Sequence, residues 1–182
     1  EVSSDVARGG ERSIERWDGV PVKISHIVLH SSDHKALCTW MCDVLGFKVS
    51  DWLGDFMVFL RCNSAHHRFA ILPGPPCLNH VAYDMEGVDG MMRGIHRLKL
   101  AGNDIRWGPG RHTAGNNTLS YFVSPGGFTV EYTAELEEVD DANWQPSVHA
   151  PAPLLMDQWG IGVGGPQTMP PAVPNPRLFE VD

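Results

Sequence analysis

Apolar residues along this chain recur in two rhythms, one suited to strands and one to helices. Residues 1–22 are polar and uncommitted, ending in the turn-like WDGVP. From Lys23 a pattern sets in: Ile24, Ile27, Val28 and Leu29 read as a strand, and Ser31-Ser32-Asp33 as a helix start. Ala36, Leu37, Trp40, Met41, Val44 and Leu45 then recur at helical spacing until Gly46 stops them. FKVSDW and FMVFLRC follow as strands, and the turn-like CNSAH leads into another, HHRFAIL.

The second half repeats this order. LNHVAY is a strand, and VDGMMRGIHRLKLAG is a helix with Val88, Met91, Met92, Ile95 and Leu98 as its apolar positions and Gly102 as its stop. NDIRW is the next strand, and TLSYFV and FTVEYT form a hairpin across SPGG. His26 and His80 are each the third residue of I-S-H-I-V and L-N-H-V-A, 54 positions apart, and Trp52 and Trp107, 55 apart, each close the strand after the helix. Two βαβββ units, each with too little sheet to bury its own face, predict an α+β fold in which paired modules form one half-closed sheet around a shared cavity. The organisation expected is an N-terminal segment or linker over 1–22, a paired-module domain over 23–135, and a C-terminal tail over 136–182. The acidic ELEEVDD, from Glu135, leads into that tail, which carries eight of the fourteen prolines. The tail is expected to lack regular structure and to lie across the surface.

Composition narrows the function classes. At 182 residues there is room for one sizeable core, and the 42% apolar and 20% charged content is that of an ordinary globular protein. A formal net charge of −8 without any Lys/Arg run argues against a nucleic-acid surface. No apolar run approaches a membrane span or a signal peptide. Cys38, Cys42, Cys62 and Cys77 form no zinc or redox spacing and read as reduced thiols, which points to a cytoplasmic location.

The chemistry starts from the repeat. Equivalent strand positions point to equivalent places, so His26 and His80 are expected to face one another across the cavity. Glu131 lies in the last strand of the second unit, where the first unit has an apolar residue. A carboxylate pointing inward needs a counter-charge or a metal. Either histidine alone reads more readily as an ordinary core or surface residue, and Glu131 alone reads also as an exposed strand residue. Together, two imidazoles and one carboxylate make a set with open positions that suits Fe(II), with Mn(II) as the other ion accepted by these ligands. Zinc is possible by ligand type but calls for a fourth ligand or water.

The pattern ISHIVL … HHRFAI … LNHVAY … GPGRHTAGNN … SYF … PGGFTVEY, over residues 24 to about 135, resembles the catalytic half of type I extradiol (catechol meta-cleaving) dioxygenases of the vicinal oxygen chelate superfamily. The resemblance implies metal ligands at His26, His80 and Glu131, with a catechol-type diol and O2 as substrates. It implies that His67 stands near the dioxygen position, that His112 hydrogen-bonds a substrate oxygen, and that Tyr121 is the family's active-site tyrosine. It further implies a homo-oligomer, and a chain corresponding to the C-terminal piece of a two-domain enzyme, since relatives usually carry another repeat pair ahead of this one.

One departure is visible. Between His112 and Tyr121 many relatives carry an acidic residue, whereas this chain reads TAGNNTLS, leaving Asn116 or Asn117 as a neutral substitute. Strand alternation sends His66 to the surface. His30, His34 and His96 are expected to face solvent, and His149 lies in the tail. Cys38 and Cys42 are expected to pack one turn apart, and Arg111 to bind an anionic substrate group or form a surface ion pair. Two rivals stand beside the dioxygenase: a glyoxalase-like metal-dependent lyase or isomerase, disfavoured by the absence of a further carboxylate in FAIL, and a non-catalytic aromatic-binding module.

Overall fold

The computed structural model describes residue 13 and residues 18–174, so part of the expected N-terminal segment and the last residues of the tail lie outside the described residues. The first module runs β1 (Lys23–Ser31), α1 (His34–Leu45), β2 (Lys48–Leu53), β3 (Met57–Arg61) and β4 (Phe69–Pro73). The second runs β5 (Cys77–Asp84), α2 (Gly87–Leu100), β6 (Trp107–Arg111), β7 (Thr118–Val123) and β8 (Thr129–Ala134). The two modules have the same internal order. β1 pairs with β4 in parallel and β5 with β8 in parallel, while the antiparallel β1–β5 pair joins the modules. A mixed sheet results, and together with the helices it is the expected α+β architecture.

Local signals explain the helices. The Asp33 side chain accepts a hydrogen bond from the Ala36 amide (2.9 Å), and Gly46 closes α1 in the left-handed region at φ 75°. Cys38 and Met41 of α1 are buried against Val58, Leu60 and Ile71, with Cys42 packed at the margin. Trp40, Val44 and Leu45, counted as apolar positions of the helix, are instead exposed, because α1 turns only a narrow stripe to the sheet. Met91 and Ile95 of α2 pack on Phe122, Tyr132 and Ala134. Among the described residues no helix is long and apolar enough to cross a membrane.

Two expectations about strands fail. NDIRW is not a strand: Asn103 folds back onto the Leu98 carbonyl, and β6 begins at Trp107 and runs through GPG. Pro109 cannot donate to a ladder, but it falls where the β6–β7 register shifts between Trp107 and Gly110, a place where a missing donor is tolerated. The tail also has regular structure. Its β9 (Ser147–His149) adds in parallel to β2, and β10 (Val163–Gly164) adds to β6, so the tail borders both edges of the sheet. α3 (Pro153–Met156) lies between them and a turn at Pro166–Thr168 follows β10, and from these stretches Met156 and Pro166 line the cavity. The acidic stretch is an anchor. Asp141 pairs with Arg61 (2.8 Å) and with Lys48, Val139 is buried, and the His66 amide donates to the Glu137 carbonyl.

Candidate metal centre and cavity

Sheet register assembles the site. Trp107 pairs with Tyr121, Tyr121 with Glu131, Glu131 with Ala82, and Ala82 with His26, a single row across five strands. Val28 pairs with His80, which sets His80 two residues along from Ala82 on the same face as His26. In β8 the neighbours Tyr132 and Ala134 pack under α2, so alternation sends Glu131 to the opposite face. Its equivalent in the first module is Ala70, which pairs with Val28 as Glu131 pairs with Ala82.

His26, His80 and Glu131 are all buried, and their ligand atoms lie within 4.8 Å of one another. Glu131 Oε2 is 3.0 Å from His26 Nε2 and 3.1 Å from His80 Nε2. Yet neither Glu131 oxygen, nor His80 Nε2, has a hydrogen bond of acceptable geometry. Buried polar atoms left without partners cost a good deal unless something else satisfies them. A divalent cation would satisfy them, and two imidazoles with one carboxylate are a donor set for it. Burial by itself raises the Glu131 carboxyl, but His26 and His80 outweigh it and hold the group well below the usual carboxylate range. Burial lowers His80, only partly opposed by Glu131, so its ring stays neutral and free to ligate.

The ring orientations are set by a chain of hydrogen bonds. The Pro73 carbonyl can only accept, so His30 donates to it from Nδ1 (3.1 Å) and accepts at Nε2 from Asn79 Nδ2 (2.8 Å). The Asn79 oxygen then accepts from His80 Nδ1–H (2.6 Å), leaving His80 Nε2 for the metal position. Sequence reasoning missed this chain, treating His30 as solvent-facing and giving Asn79 no role. The L-N-H tripeptide was the available signal, an amide directly before a candidate ligand.

A cavity of about 440 Å³ opens above the centre. His67, His112 and Tyr121 all line it, whereas Asn116 and Asn117 do not. Asn117 is fully buried on Thr133 Oγ1, and the amide facing the cavity is Asn79. Its other walls are apolar, including Phe59, Met57 and Trp107, and the tail adds Pro151, Met156 and Met169. His112 donates from Nδ1 to the Met156 carbonyl (2.8 Å), so its Nε2 accepts from the Tyr121 hydroxyl (3.0 Å). Trp107 stacks on Tyr121 at 5.1 Å between centroids. Burial, reinforced by the Glu131 charge, raises Tyr121 well above its ordinary value, so it stays a neutral phenol. Burial lowers His112, and burial with the neighbouring histidines lowers His67 well below its ordinary value. Arg111 does not reach the cavity; it pairs with Glu135 (2.5 Å) and lies over Trp159.

His66 is the clearest departure from expectation. It is fully buried, because the chain enters β4 only at Phe69 and the His66-His67 pair precedes the strand, where alternation does not apply.

The family model described as the glyoxalase/bleomycin resistance protein/dioxygenase superfamily matches residues 23–132, both modules together. The chain belongs to that superfamily. Within it, the chain is 28% identical over 147 residues to metapyrocatechase 2 of Cupriavidus necator, covering 79% of this chain and 46% of that protein. It is 34% identical over 107 residues to 3-methylcatechol 2,3-dioxygenase of Pseudomonas putida, covering 58% and 36%. Among solved superfamily structures, a Mn(II)-bound glyoxalase from Novosphingobium aromaticivorans is 72% identical, with a TM-score of 0.91 over 97% of this chain and 58% of that one. The chain thus spans about half the length of the curated relatives it matches.

Proposed function

We propose that this chain is the catalytic part of an extradiol dioxygenase that inserts both atoms of O2 into a catechol-type diol, with Fe(II) or Mn(II) held by His26, His80 and Glu131. The observation carrying this reading is the meeting of three buried ligand side chains, two of them with unsatisfied atoms, with His67, His112 and Tyr121 around one cavity. Relatives named as catechol-cleaving enzymes support it. Held by these three side chains, the ion would supply Lewis-acid activation of the diol and redox contact between the diol and O2.

The remaining work belongs to the chain's own side chains. His67, kept neutral by burial, is available to take a proton from a substrate hydroxyl. Tyr121, kept as a phenol, gives its one O–H to His112 Nε2, so its oxygen faces the substrate as an acceptor, oriented by His112. The apolar walls and the tail segment exclude water and hold the ring flat over the centre. The ring bond beside the diol breaks, and the open-chain product retains both oxygen atoms.

The name of the 72% identical structure favours a second reading, a glyoxalase-type lyase or isomerase. Against it, no Asp or Glu is among the described residues lining the cavity, and Ala70 occupies the position equivalent to Glu131, so no second carboxylate serves as a base. The test is anaerobic loading with Fe(II) or Mn(II), then a panel of catechols with air, reading oxygen uptake and yellow product. Turnover lost in His80→Ala supports the dioxygenase. Turnover of a thiol–2-oxoaldehyde adduct without oxygen uptake would replace it with the lyase. Ligand affinity that survives chelation, with no turnover, would mark a binding module.

A further inference from the structure

Behind His67, on the side away from the cavity, lies a second cluster of ionisable groups that the mechanism above does not use. Asp51 of β2 is almost fully buried and accepts four hydrogen bonds. Its Oδ2 accepts from His66 Nε2–H (3.0 Å) and His149 Nε2–H (2.7 Å), and its Oδ1 from the Ser147 amide (2.8 Å) and hydroxyl (3.0 Å). Burial by itself raises this carboxyl, but the His66, His149 and Ser147 hydrogen bonds prevail and bring it down to about 2. Asp51 is therefore a carboxylate that only accepts.

We propose that Asp51 and His66 are positioning residues that hold His67 in the tautomer with its proton on Nδ1 and its bare Nε2 turned to the cavity. The geometry leaves little choice. His66 must spend its Nε2–H on Asp51, so its Nδ1 is a lone pair, and that atom lies 3.0 Å from His67 Nδ1. The hydrogen bond between them then requires the proton on His67 Nδ1. His66 cannot rotate away, since Phe59 and Trp144 pack on its ring at 5.8 and 5.5 Å and Trp144 is itself fixed by donating to the Ser50 carbonyl. Gly115 closes the remaining side, where a side-chain carbon would sit 3.1 Å from both His66 Nδ1 and His67 Cε1. Because Ser147 and His149 belong to β9, the tail that lines one side of the cavity is also what completes the shell around Asp51.

The tautomer can be read without turnover, so the test stands apart from the proposed reaction. Long-range proton–nitrogen correlation spectra of the full chain, loaded with diamagnetic Zn(II), report which nitrogen of each ring carries hydrogen. The expected result is hydrogen on Nε2 of His66 and on Nδ1 of His67. In Asp51→Asn the amide donates towards His66 Nε2, which reverses both rings, whereas His149→Gln leaves them as they were. If catechol turnover is established, Asp51→Asn should then lower kcat by roughly 10²-fold or more with little change in KM. Hydrogen on Nε2 of His67 in the unsubstituted protein would overturn the proposal. So would a folded Asp51→Asn with His67 unchanged. Should Asp51→Asn not fold, His66→Phe supplies the second arm, and loss of the fixed His67 tautomer is the result expected.

Discussion

Acidifying the metal-free protein from about pH 7.5 to about pH 5.5 should weaken its fold, and three side chains set the size of the effect. His67, His80 and His112 all have folded pKa values lowered by burial, so the folded protein holds them neutral where the unfolded chain does not. The unfolded imidazole titrates near 6.5, so above that pH neither state binds a proton and there is no effect. Below it the unfolded chain binds protons that the folded protein refuses, and stability falls as pH falls until the folded values are reached. Across this window each histidine removes up to about 1.4 kcal/mol, so the three together remove at most about 4 kcal/mol. The depressed carboxylates Asp51 and Glu131 act in the same direction, but only below about pH 5, where the unfolded carboxyls begin to protonate. With a urea dependence of about 2 kcal/mol per molar, the unfolding midpoint should drop by up to about 2 M. Tryptophan fluorescence during urea titration at a series of pH values measures it. A midpoint that stays flat or rises on acidification would refute the buried-neutral-histidine argument, as would an undiminished drop in a folded His67→Gln/His112→Gln variant.

Removing the amide that orients His80, in Asn79→Ala, should weaken Mn(II) binding by roughly 10- to 100-fold in a calorimetric titration, with His30 losing its partner at the same time. Tyr121→Phe deletes one hydroxyl whose partner in the protein is His112; we expect kcat to fall by about 10²-fold with the unfolding midpoint almost unmoved. Gly115 sits at φ +79°, and a side-chain carbon there would press on His66 and His67 at 3.1 Å, so Gly115→Ala should cost about 1–3 kcal/mol in denaturant titration.

Much of the fold was legible because repeats amplify weak signals. A lone histidine in a strand says little, but His26 and His80 at matching positions of two βαβββ units, with Glu131 in the closing strand, point to one shared place. Strand alternation carried the argument wherever regular pairing extended, as it does from Tyr121 through Glu131 to His26. It failed at His66, which precedes its strand, and at β6, where Gly-Pro-Gly resembles a turn and only the register shift makes it a strand.

The sequence by itself determined the periodic part of this protein: two modules, their helices and most of their strands, and the candidate ligands that register across them, because those follow from spacing along the chain. Only the tertiary structure decided the supports behind that set, namely Asn79 and His30 behind His80, Asp51 behind His66, and the tail over the cavity. These partners lie far apart in sequence, up to the 98 residues between Asp51 and His149, and no local pattern records them. Burial made those contacts obligatory, since a polar group removed from water must find its partner wherever the fold brings one.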